Sequence, residues 1–196
     1  MSKTDPAALK RERQKAARWV VTIFLVTIVI SGTISLLSDI VMASSTVLVA
    51  FLILLAIILI GIVFDIIGMA VATADEKPFH SMAARKVPGA QEAIALLRNA
   101  ERVSSICNDV VGDICGVVSG SASATIAAQI LSNFEFTWPQ IVSLGMSALA
   151  AGLTVGGKAI GKSFAVNSCT AIVHTVGKLI HVVNSLFCKK KRTKKK

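Results

Sequence analysis

The sequence predicts an all-α, multi-pass membrane protein with four transmembrane helices, a cytoplasmic helical hairpin and a C-terminal juxtamembrane helix. Two observations carry that expectation. Hydrophobic residues make up 54% of the 196 residues and the mean hydropathy is +0.71, too apolar for a soluble fold of this size. Uncharged runs recur that match the roughly 20 helical residues needed to cross a hydrocarbon core, and Lys and Arg cluster between and beyond them. Aromatic content is only 5%, with no Tyr, so the apolar mass is Ile, Val, Leu and Ala, which face lipid well and carry little catalytic chemistry. No nucleophile–base pair and no metal-ligand motif is present, so neither an enzyme nor a cofactor is expected.

Residues 1–18 form a basic tail, too long and too rich in acidic residues and Gln for a signal-peptide start, and no small-residue cleavage site follows the apolar stretch after it. The transmembrane domain is expected over 19–188. Its first span covers 19–37, with Trp19 at the interface; a turn at Ser38 and Asp39 leads to the second, 40–64. The segment 75–104 is a charged hairpin. It holds Lys77, Arg85, Lys86, Glu92, Arg98, Glu101 and Arg102, with Pro78 and Pro88-Gly89 as breakers. Within it Ala90, Ala93, Ile94, Leu97 and Ala100 recur at helical spacing, as in an amphipathic helix.

The third span, 114–134, is crowded with small residues that let helices approach closely in lipid, which makes it a central helix. A turn over 133–139, holding Glu135 and Trp138, leads to the fourth span, 136–157. The stretch 163–187 places Ile172, Val173, Val176, Leu179, Ile180 and Val183 at helical spacing but is interrupted by His174, Lys178 and His181, so it reads as a juxtamembrane helix. Residues 189–196 form a second basic tail. The turns near Asp39 and Glu135 carry no Lys or Arg, so the count of basic residues puts both termini and the hairpin in the cytoplasm, at the cell membrane.

The net charge of +10 argues for a lipid surface, not nucleic acid, because no aromatic residues interleave with the basic ones to stack on bases. The run from Lys189 to Lys196 reads as an orientation signal and an anchor on anionic lipid. Cys107, Cys115, Cys169 and Cys188 show no CxxC spacing and no His partner, and read as small buried residues; Cys188, beside the lysine run, is also placed for acylation. His80, His174 and His181 share no HxxxH spacing and read as interfacial polar residues.

The informative residues of such a chain are charges at the margins of apolar runs, since each costs a few kcal/mol, ~3 at a helix centre, unless it faces protein, water or a counter-ion. Here they are Asp65, Asp109, Asp113 and Lys158. Carboxylates with oxygen donors such as Asn108, Ser104, Ser105 and Thr73 are what a hard cation like Mg²⁺ uses. The other reading is a structural ion pair in which Lys158 neutralises one or two aspartates, and spacing alone leans to it.

Three stretches then look like a known family. Phe64-Asp65-Ile66-Ile67-Gly68-Met69-Ala70-Val71 resembles its Phe-Ser-x-x-Glu-x-Ala-Leu helix end. The run Leu96-Leu97-Arg98-Asn99-Ala100-Glu101-Arg102-Val103-Ser104-Ser105 resembles its Pro-Glu-Arg-x-x-Ser start of an Asn-rich helix. Gly157-Lys158-Ala159-Ile160-Gly161-Lys162 resembles its Gly-Glu-x-x-Pro-Lys end. The chain thus resembles the transmembrane domain of the CNNM and CorB/CorC magnesium transporters, from about Leu48 to Leu186. The resemblance implies Mg²⁺ or another divalent cation as substrate, a homodimer, and a site built from Asp65, Asn108, Asp109 and Asp113. Two departures matter: Lys158 stands where the family has a carboxylate, and there is no length for the CBS domains that usually follow. The competing expectation is a non-transporting membrane scaffold or regulator of the same fold.

Overall fold

The computed structural model describes residues 6–43, 45–133 and 138–193, and side chains over 17–42, 45–133 and 138–186. The protein is all-α. Its helices are α1 (Pro6–Ala43), α2 (Val47–Thr73), α3 (Lys77–Ala84), α4 (Ala90–Arg98), α5 (Ala100–Ser105), a π-helical segment (Ile106–Gly112), α6 (Asp113–Asn133), α7 (Pro139–Asn167) and α8 (Cys169–Thr193). Among the described residues, four continuous stretches are long and apolar enough to cross a membrane: Ala17–Met42, Val47–Thr73, Ala100–Asn133 and Pro139–Asn167. Glu135, the side chain of Cys188 and those of the C-terminal lysine run lie outside the described residues, as do the side chains of the tail before Ala17.

The spans are longer than the uncharged runs. The second does not end at Phe64 but continues through Asp65 to Thr73, because Asp65 is buried against other helices and its charge does not have to reach water. The third begins not at Ile114 but at Ala100, so the last part of the 75–104 hairpin and both Asp109 and Asp113 belong to it. The fourth runs on past Lys158 and Lys162 to Asn167. The turn between the first two spans falls near Ser45 and Thr46, after Asp39, with Thr46 in an extended conformation ahead of α2.

α2 is the central element: it touches α1, α4, α5, the π-helical segment, α6, α7 and α8. α6 runs antiparallel to it, Gly61 facing Cys115 and Gly68 facing Asn108, whereas α7 runs parallel, Gly157 and Gly161 lying on Ile62 and Ile66. Those glycines set the spacing, since a Cβ at Gly61 would sit 2.8 Å from Cys115 Cβ. The third span has the largest buried share of the four and packs on α1, α2 and α7, the central place its small residues predict. α1 leans chiefly on α6 and meets α2 only slightly. Ile23 packs with Val110, Ile114 and Val118; at the far end Gln129 donates to the Met42 carbonyl at 2.7 Å, which also accepts from the Ser45 N–H at 3.1 Å, so the last turn of α1 is tied to α6.

The other end is closed by the short helices and α8. Pro78 sits in the first turn of α3, and Lys86 (φ 55°) and Gly89 (φ 85°) reverse the chain into α4. Gly89 is doubly constrained: besides its left-handed backbone, a Cβ there would lie 2.5 Å from the Lys178 nitrogen. Gly177 presses equally closely on the Gly89 carbonyl, so α8 crosses α4 backbone to backbone. Phe79, Ala93, Leu97, Ala70, Val71, Ala165 and Val173 form the core beneath, tying α3, α4, α2, α7 and α8 together. The Arg102 guanidinium lies 5.5 Å from the Trp19 ring centroid, pinning the start of the first span to this end.

At the same crossing His181 Nδ1 and Glu92 Oε1 are 2.7 Å apart, and this hydrogen bond holds the Glu92 carboxyl below its ordinary 4.5. A depressed carboxylate pKa contributes stability that is present above 4.5 and lost as pH falls through the lower, folded-state value. Protection of the α8 amides, measured relative to their intrinsic exchange rates, is therefore expected to fall as pH is lowered below 4.5, and Glu92→Gln should remove that step. An unchanged acid step in the variant would show that Glu92 does not fasten α8.

Candidate ion site at the crossing of α2, the π-helical segment and α7

Gly61, Asp65 and Gly68 share one face of α2, and the two glycines let the third span come close on either side of the carboxylate. Opposite them the third span is π-helical over Ile106–Gly112. Such wide turns are rare and occur often at functional sites, because they redirect a carbonyl and a side chain that an α-helix would have used or turned elsewhere. Within and at the end of this segment, the Gly112 carbonyl accepts a hydrogen bond from Lys158 Nζ at 3.2 Å, and Asn108 Oδ1 occupies the space that a Cβ on Gly68 would need.

Asp65 is 4% exposed. A Cβ on Gly112 would lie 3.3 Å from Lys158 Nζ, 3.4 Å from the Cys107 carbonyl oxygen and 3.8 Å from Asp65 Oδ1, so ammonium, carbonyl and carboxylate border one small space. Yet Lys158 and Asp65 do not close into an ion pair: among the described residues, the ion pairs within 4.0 Å are Lys77–Asp75, His80–Glu76 and His181–Glu92. Asp65 Oδ2 and Asn108 Oδ1 are both buried with no hydrogen-bond donor. Leaving such acceptors dry and unpaired costs about 1–3 kcal/mol each, more for a charged oxygen.

The π-helical segment thus sets Asn108 against Gly68, one turn of α2 beyond Asp65, while Lys158 of α7 and Asp65 border the space beside Gly112. The structure turns Asp109 and Asp113 the other way: both are exposed, and Asp109 accepts a hydrogen bond from Ser105 Oγ at 2.8 Å. Ser104 steadies Asn108, accepting from its Nδ2 at 3.3 Å, while Thr73 is exposed and donates to the Met69 carbonyl. Among the described residues no group of three or more His, Cys, Asp or Glu side chains converges. Cys107 is buried and Cys115 and Cys169 are half-buried, all three as free thiols. His80 and His181 face carboxylates in the exposed hairpin and α8, whereas His174 has a buried Nε2 without a partner.

Sequence reasoning found the charged residues but missed the Gly112 carbonyl and the role of Gly61 and Gly68. The signal was present as two glycines flanking an aspartate at helical spacing in an otherwise bulky span.

Fold and site define a class: a membrane-embedded helical bundle with a buried carboxylate set opposite a lysine. No family model matches the chain, and neither a curated protein nor a solved structure matches it significantly.

If Asp65 and Lys158 balance one another's charge, Asp65→Leu and Lys158→Met should each lower stability in detergent by about 1–3 kcal/mol, and the double variant should lose less than the sum. Thermal unfolding of the four proteins gives the coupling. Strict additivity would mean that the two charges do not interact.

Proposed function

We propose that the protein is a transporter of Mg²⁺ or a similar divalent cation, like the CorB/CorC transmembrane domain it resembles. The observation that carries this reading is the pair of buried, donor-free oxygens, Asp65 Oδ2 and Asn108 Oδ1. A hard cation supplies to such oxygens the positive partner that the protein withholds. Backbone carbonyls at the π-helical turn add neutral oxygens, and Lys158 offsets the Asp65 charge when no ion is bound. Asp109 and Asp113, exposed on the same span, attract cations toward it.

The basic end of the bundle faces the cytoplasm in this reading, with both termini there; the pairing of Arg102 with Trp19 and the docking of α8 on α4 are consistent with gathering the basic segments at one end. A homodimer is supported by glycines with open space before them, Gly116 and Gly120 on α6 and Gly145, Gly152 and Gly156 on α7. The second reading is a non-transporting scaffold, favoured by the hydrogen bond from Lys158 Nζ to the Gly112 carbonyl, which puts a resident cation beside the space an ion would use.

Mg²⁺ flux into proteoliposomes separates the two. The transporter reading expects wild-type flux that Asp65→Ala abolishes. A silent wild type that gains flux on Lys158→Glu would establish the scaffold reading, with the lysine standing in for the ion.

A further inference from the structure

One well-formed cavity lies away from the buried charges. It is a groove of about 780 Å³ between α2, the last turns of α7 and the outer face of α8. That is within the usual size of a small-molecule site, roughly 300–1,000 Å³. Val63, Ile66 and Ile67 form its floor, Phe164 and Ser168 one wall, and Ile172, Val176, Leu179 and Val182 much of the other. Directional chemistry is scarce. The Thr175 hydroxyl is spent on the Ala171 carbonyl at 2.8 Å, and Lys178 is the one charged side chain of the lining.

The placement of α8 explains why the groove stays open. α8 is not among the four membrane-length apolar helices, and its close contact with α4 is made through Gly177 on Gly89, which leaves Leu179 and Val182 turned outward, both more than half exposed. Phe164 at the end of α7 is likewise 57% exposed. An apolar trough with one cation, on a helix whose sequence runs on into Lys189, Lys190, Lys191 and Arg192, matches an amphiphile with an apolar tail and a negative head. A peptide would find almost no groups to satisfy its backbone there, and a wholly apolar ligand would leave the lysine without a partner.

We propose that this groove binds one anionic phospholipid of the surrounding leaflet, with an acyl chain along Val63, Ile66, Phe164, Ile172 and Leu179 and the phosphate at Lys178. The site is separate from the buried charges and does not depend on the transport reading. Its lipid bridges α8 and α7, which touch each other little, over the floor that α2 provides.

Native mass spectrometry of the purified full chain, exchanged into detergent with equal phosphatidylglycerol and phosphatidylcholine, tests this. Wild type should retain one phosphatidylglycerol per chain, favoured about fivefold over phosphatidylcholine, the factor expected of one lysine at an anionic surface. Ala171→Trp, at an exposed position of the lining, should fill the groove and abolish retention. Lys178→Gln should keep a lipid but lose the preference between head groups, and so remains informative if the tryptophan variant folds poorly. The proposal is overturned if wild type retains no lipid or retains both equally, if Ala171→Trp folds and retains lipid as wild type does, or if a lipid-free dimer forms that Ala171→Trp dissociates, which would make a second copy the occupant.

Discussion

The structure turns on one costly burial, the carboxylate of Asp65 inside the most apolar helix of the chain. A carboxylate in that position has to be compensated by protein, and three neighbouring features supply what compensation there is. Gly61 and Gly68 remove side chains from the face of α2 that carries Asp65, so the third span approaches closely. The third span widens into a π-helix there, where the Gly112 carbonyl accepts from Lys158 Nζ and Asn108 lies against α2. α7, held parallel to α2 by Gly157 and Gly161 on Ile62 and Ile66, brings Lys158 to the same space. The compensation stops short: one carboxylate oxygen and the Asn108 amide oxygen have no donor. A site built only for stability would close into an ion pair; this one keeps the ammonium and the carboxylate more than 4.0 Å apart around a shared gap.

The second constraint is mechanical and lies at the C-terminal end of α2, just beyond Asp65. The core around Phe79, Val71 and Val173 ties α2 to the hairpin helices and to α8, a few turns from Asp65 and beside the crossing of Gly89 and Gly177. The end that carries the short helices is thus a clamp on the span that carries the buried charge.

Much of the fold was legible in the sequence, since apolar runs of membrane length need no tertiary information to be recognised. The misjudged boundaries have one cause. Asp65 and Lys158 stand at the ends of apolar runs because a charge in lipid is expensive, but a charge facing protein is not in lipid, and the helices continue past both. The pairing of α1 with α6 in preference to its sequence neighbour was hidden, because long helices in a bilayer choose partners by surface fit and not by loop length. At the site, Asp65, Asn108 and Lys158 could be named from residue type alone. The outward turn of Asp109 and Asp113 could not, because the π-helical segment changes the angle between successive residues just before and at those positions.

The central claim is that a divalent cation is held by Asp65 and Asn108, not by the exposed aspartates. The most direct measurement is electron paramagnetic resonance of Mn²⁺, a paramagnetic substitute for Mg²⁺, titrated into wild type, Asp65→Asn and the double variant Asp109→Asn with Asp113→Asn. The account predicts a saturable bound population in wild type that persists in the double variant and disappears in Asp65→Asn. Binding that survives Asp65→Asn, or that is lost with the exposed pair, would contradict it.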